Sequence, residues 1–111
     1  VKIEEGLPVD PMDEPVSVRV ARGVALLDEL GPDGWRDRVD LSTLNLMSTE
    51  DCVLGQVYGT DDDPEGWYLG EDALNIHSGV SAARYGFDVP YRFGETAVRL
   101  VEDEWRRVLA E

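Results

Sequence analysis

The chain has 111 residues, with 24 acidic side chains against ten Lys and Arg, for a net charge of −14. That length predicts one domain with a small but genuine core. No apolar run approaches the ~18 residues of a membrane span, and the acidity disfavours nucleic acid and anionic membranes as partners. Cys52 is the only cysteine, so no internal disulfide is possible and a reducing compartment is expected. The N-terminal "VKIEEGLPVDPMDEP" has no apolar core segment and does not resemble a signal peptide. The expected location is the cytoplasm.

The charge is unevenly placed. Residues 1–15 carry five acids and one base, residues 60–72 carry six acids and no base, and the remainder has thirteen acids against nine Arg. Residues 1–15, with Pro8, Pro11 and Pro15 and no helical period, are predicted to form an extended acidic arm. Residues 16–111 are predicted to form a single helical domain. Ile3, Leu7, Val9 and Met12 offer the arm apolar contacts with the body.

The first helix is expected over Ser17–Leu30, capped by Ser17, with Val20, Val24 and Leu27 inward and Ala21, Leu26 and Leu30 widening the stripe. Gly31–Pro32 stops it, with a left-handed cap available at the glycine. A short turn follows Asp33 and aims Trp35 and Val39 at the core. Leu41, Leu44 and Leu46 feed the core from an irregular segment. Ser48 and Asp51 resemble a capping box with a shortened acid, opening a helix with Val53, Leu54, Val57 and Tyr58 on one face and Gly59 at its end.

Another helix is expected from Trp67 to His77, with Leu69, Ala73 and Ile76 inward, and a short one from Ser81 ended by Gly86. The last, Gly94–Ala110, carries the stripe Val98, Val101, Trp105 and Val108. Glu95–Arg99, Glu102–Arg106 and Asp103–Arg107 stand at the acid-before-base spacing that stabilises a helix by about 0.2–0.5 kcal/mol per pair. Strand patterns are absent or short. The predicted class is all-α, a small helical bundle with irregular connections.

The stretch "GTDDDPEGWYLGED" places Asp61, Asp63, Glu65, the Trp67 carbonyl and Asp72 at ligand positions of a twelve-residue calcium loop, with Gly66 at its sixth place. Pro64 stiffens that frame, Glu65 is long for the fifth place, Asp72 replaces the bidentate Glu, and no second loop pairs with it. A solvated connection is therefore expected, with no metal or other cofactor. A calcium module using Asp61, Asp63, Glu65 and Asp72 stands as the alternative.

No catalytic group is expected. His77 is the only histidine and suits packing or capping. Cys52 stands in the first turn of its helix, where the dipole favours a thiolate but Glu50 and Asp51 oppose it. Ser42 and Ser48 have no evident base. Trp67 and Tyr68 follow the acidic run, either folded onto the body or exposed as anchors for another protein. The expected contact is Glu65, Trp67, Tyr68 and Leu69, flanked by adaptable Gly66 and Gly70.

Three stretches, "RGVALLDELGPDGWRDRVDLSTLNL", "DCVLGQVYG" and "AARYGFD" with a terminal "WRRVL", resemble small uncharacterised proteins of actinobacterial bacteriophages and their hosts. The resemblance spans Val20 to Leu109. It carries over no assigned catalytic site. It implies a protein that acts by binding a host or phage protein, in the host cytoplasm if phage-encoded. An acidic DNA mimic is a second alternative.

Overall fold

The computed structural model describes residues 11–110, and these contain helices and turns but no strand. Five α-helices run in chain order: α1 Val16–Leu30, α2 Val53–Tyr58, α3 Gly66–Leu74, α4 Gly79–Arg84 and α5 Gly94–Leu109. Short 3-10 turns occupy Pro11–Asp13, Trp35–Arg38 and Tyr91–Phe93. The all-α fold expected from the two long apolar stripes is present. None of the described helices is long and apolar enough to cross a membrane.

Two helix pairs build the domain, α1 against α5 and α2 against α3. In the first pair, Val20 and Leu27 meet Val101 and Trp105, all four fully buried. The Trp105 indole donates to the Gly86 carbonyl at 2.7 Å and stacks on Phe87 with ring centroids 5.7 Å apart. Its polar edge is thus satisfied inside the core, as a buried tryptophan requires. Gly23 lies under that ring, where an added Cβ would stand 3.0 Å from it.

Several local expectations change. Ser17 is not the cap of α1, because Val16 is already helical. Pro15 is the N-cap, its carbonyl accepting from Val18 and Arg19 N–H groups. Gly31 is extended rather than left-handed at φ −75°, so Pro32 supplies the stop. Asn75 ends α3 in the left-handed region at φ 57°, a conformation asparagine tolerates better than most residues.

The part of the predicted arm that lies in the described range is not extended. Pro11–Asp13 forms a 3-10 turn, Pro11 is buried, and Met12 packs on the core. Glu14 grips Arg22 through both carboxylate oxygens, at 2.9 and 2.7 Å, and the same guanidinium donates to the Arg84 carbonyl at 2.9 Å. The rest of the expected arm, with Ile3, Leu7 and Val9, lies outside the described residues.

Two of the three expected ion pairs on α5 are replaced. Glu95 and Arg99 face each other at 3.9 Å, but Arg106 pairs with Asp103 and Arg107 with Glu104, each three residues back. The cause is tertiary. Glu102 turns inward to accept from the Leu46 N–H at 2.8 Å, and Arg106 donates to the Leu41 and Leu44 carbonyls. The irregular segment 41–46 is thereby tied to α5 by its backbone.

Candidate functional site

The α2–α3 pair decides the geometry of the acidic region. On the α3 side the approach is made by glycines: Gly66 stands against the backbone of Gly55 and Gly59, and Gly70 against the Leu54 and Tyr58 side chains. A Cβ on Gly70 would stand 3.0 Å from both Leu54 and the Tyr58 ring, and one on Gly66 would overlap the backbone of Gly55 and Gly59. The buried face of α3 is therefore Gly66, Gly70 and Leu74. Leu69 and Ala73, expected inward, face out, and Ile76 is buried beyond the helix end. Gly66 and Gly70 do not loosen the backbone. They permit close approach.

The calcium frame is not a loop. Helix α3 opens at Gly66, so the Trp67 carbonyl and Asp72 lie within helix rather than on a coordinating turn. Asp61 and Asp63 are exposed, with Asp63 closing a turn on Thr60. Glu65 accepts from the Thr49 hydroxyl at 3.0 Å. Asp72 is exposed and stands 3.7 Å from His77. No group of three or more His, Cys, Asp or Glu suited to a metal occurs among the described residues.

Cys52 is the N-cap of α2 rather than a residue of its first turn, and its sulfur accepts from the Gly55 N–H at 3.2 Å. Burial pushes its thiol up to about 11, with the nearby Asp88 carboxylate adding to the rise. Ser48 accepts from the backbone of Glu50 and Asp51 in the preceding turn, not within the helix. Ser42 donates to Asp40 at 2.6 Å.

Thr49 links this turn to α3. Its carbonyl accepts from the Trp67 N–H at 3.1 Å, while its hydroxyl holds Glu65. Trp67 is half-buried and packs against the core. Tyr68 and Leu69 are 57% and 37% exposed. The four expected contact residues are thus near neighbours but unequal. Trp67 forms a wall, Glu65 is tied down, and Tyr68 and Leu69 project.

Trp67 lines a hollow of about 190 Å³ with Leu46, Met47, Ser48, Thr49 and Asp88. Met47 also lines a second hollow, about 340 Å³, with Tyr91, Gly94, Glu95 and Val98. Met47 is 51% exposed and Tyr91 90%. Neither hollow is lined by a base. Burial raises the Asp88 carboxyl above its ordinary range; the Val89 N–H it accepts at 2.8 Å opposes that, and nearby Glu71 adds to it.

No protein-family model, curated protein or solved structure matches this chain.

Met47, Asp88 and Tyr91 were not singled out in the sequence. The available signal was weak: an acid between the apolar Phe87 and Val89, and an aromatic directly after Pro90. A third hollow, near Trp35, satisfies itself. There Asp28 accepts from the Trp35 indole and the Arg36 guanidinium at 3.0 and 3.1 Å.

Proposed function

We propose that this domain is a non-enzymatic protein-binding module for a basic protein partner. It acts in the cytoplasm, as the resemblance to actinobacterial phage proteins implies, and needs no cofactor. The observation that carries this reading is the pair of adjoining hollows, bordered by exposed Met47 and Tyr91 and lined by acids but no base. Exposed aromatic and methionine side chains are what protein interfaces favour, and like-signed charge around them speeds encounter with an oppositely charged partner.

A DNA mimic fits less well. Arg22, Arg36, Arg99, Arg106 and Arg107 each pair with an acid, which interrupts any phosphate-like array.

Capture from host extract, followed by calorimetry on the isolated partner, tests the reading. Affinity is expected to fall with added salt. Met47→Ala and Tyr91→Ala are expected to weaken binding by about 1–2 kcal/mol each with the thermal midpoint nearly unchanged. Trp67→Ala is a poorer probe, since its ring packs on the core and its loss costs stability as well. A partner held equally by both surface variants, or a captured nucleic acid, would refute the proposal.

A further inference from the structure

The two hollows differ in chemistry, and that difference specifies what each accepts. In the smaller one Asp88 is half-buried and shares the lining with Trp67 and Met47, and among the described residues no cation pairs with it. Among the described residues its carboxylate accepts only the N–H of its own neighbour, Val89. A desolvated acid beside a second acid is relieved by an incoming cation. The indole of Trp67 and the thioether of Met47 can cover the aliphatic stem behind such a cation. The larger hollow has Val98, Met47 and the exposed Tyr91 ring as walls and Glu95 on its lining. It suits a bulky apolar side chain.

We propose that the paired hollows read a basic residue and a bulky apolar residue, a few positions apart, in an extended segment of the partner protein. The basic residue reaches Asp88 between Trp67 and Met47. The apolar residue lies between Met47 and Tyr91 over Val98. Because Met47 is common to both hollows, side chains on one face of a single extended segment can occupy them together. This rests on the protein-binding reading and identifies the partner by charge complementarity.

The test is selection of random dodecapeptides on the folded chain, then calorimetry with the enriched sequence and its variants. Enrichment of Arg or Lys with an aromatic or large aliphatic residue within four positions is expected. Asp88→Asn should lower affinity for that peptide about tenfold or more and abolish its preference over a peptide with Gln for the basic residue. Tyr91→Ala should instead abolish the preference at the apolar position and leave the basic one. The Asn variant retains the acceptor for Val89, and a melting midpoint at or above that of wild type confirms that it is folded.

Four results would overturn the proposal. One is a consensus without a basic residue. Another is equal affinity for wild type and Asp88→Asn. Self-association lost in Met47→Ala would make a second copy of the chain the occupant. Peptides that perturb the amide resonances of Tyr68 and Leu69 but not those of Met47 and Asp88 would move the contact to α3 and leave the protein-binding reading standing. Failure to capture any protein from extract would instead remove that reading itself.

Discussion

Replacing Gly66 with alanine should unfold this domain more effectively than removing a typical surface contact. The added methyl would overlap Gly59 N and Gly55 O, the two atoms of the 2.9 Å hydrogen bond that closes α2. These are backbone atoms and cannot rotate away. Overpacking costs about 1–3 kcal/mol, and weakening the bond adds about 0.5–1.5 kcal/mol. Alanine returns only a few tenths at the first position of a helix, so the net loss is about 1–4 kcal/mol.

Gly70 offers a graded comparison. Its methyl would meet side-chain atoms of Leu54 and Tyr58 at 3.0 Å, and these can yield slightly. Mid-helix alanine recovers about 1 kcal/mol, so Gly70→Ala should cost about 0–2 kcal/mol. Nothing lies within 4 Å of a Cβ on Gly79 at the start of α4, and Gly79→Ala should stabilise by about 0.5 kcal/mol. Urea denaturation followed by far-ultraviolet circular dichroism measures all three. A Gly66→Ala stability within about 0.5 kcal/mol of wild type, or a loss in Gly70→Ala larger than that in Gly66→Ala, would refute the close α2–α3 approach.

Cys52 is 1% exposed, and burial pushes its thiol up to about 11, so near pH 8 iodoacetamide should label it only through opening of the fold. Labelling at the rate of a free thiol, followed by mass spectrometry, would contradict its placement. Asp88 and Glu14 should give opposite pH slopes. Burial raises the folded-state pKa of Asp88, so its ionisation costs stability as pH rises from the unfolded value through the raised one. The stability of Asp88→Asn relative to wild type should therefore increase between about pH 4 and pH 7, and an advantage that shrinks over that range would refute the assignment. The Arg22 hydrogen bond lowers the folded-state pKa of Glu14, so its contribution is present above the unfolded value and lost as pH falls through the lowered one. Glu14→Gln should accordingly destabilise at neutral pH, by about 1 kcal/mol, and much less near pH 3; an equal loss at both would refute the pairing.

Helices α1 and α5 were legible because each is long enough for its apolar stripe to recur. Val20 and Leu27, and Val101 and Trp105, are buried as their spacing predicts. Helix α3 was misjudged because its buried face is largely glycine. Gly66, Gly70 and Leu74 repeat at four-residue steps, but glycine adds nothing to an apolar pattern and ordinarily signals an end. Its meaning emerges only when the end of α2 is placed opposite, with Leu54 and Tyr58 against Gly70 and the Gly55 and Gly59 backbone against Gly66. The ion pairs on α5 failed for a related reason. Local spacing says nothing of the Leu46 N–H, which draws Glu102 away from Arg106. Of the proposed contact region, Trp67 stands out in the sequence as an aromatic after an acidic run, whereas Met47, Asp88 and Tyr91 come from separate segments that only the fold assembles.

The placement of the basic residues bears on what the net charge of −14 does. Arginine here is largely structural. Arg22 binds Glu14 and the Arg84 carbonyl, Arg38 donates to the Val57 carbonyl at 2.8 Å, and Arg106 holds two carbonyls of the 41–46 segment. Each fastens an irregular segment or a helix end to the body. No base lies between Thr60 and Asp72 to offset the six acids there, and none lines either hollow. Exposed pairs such as Arg36–Asp28 contribute about 0–1 kcal/mol and are screened by salt. A half-buried, unpaired Asp88 is screened less. Acidity serving solvation alone would not require desolvating a carboxylate against Trp67 and beside Glu71, where its charge opposes folding. That arrangement favours a cationic partner as the source of the compensating interaction.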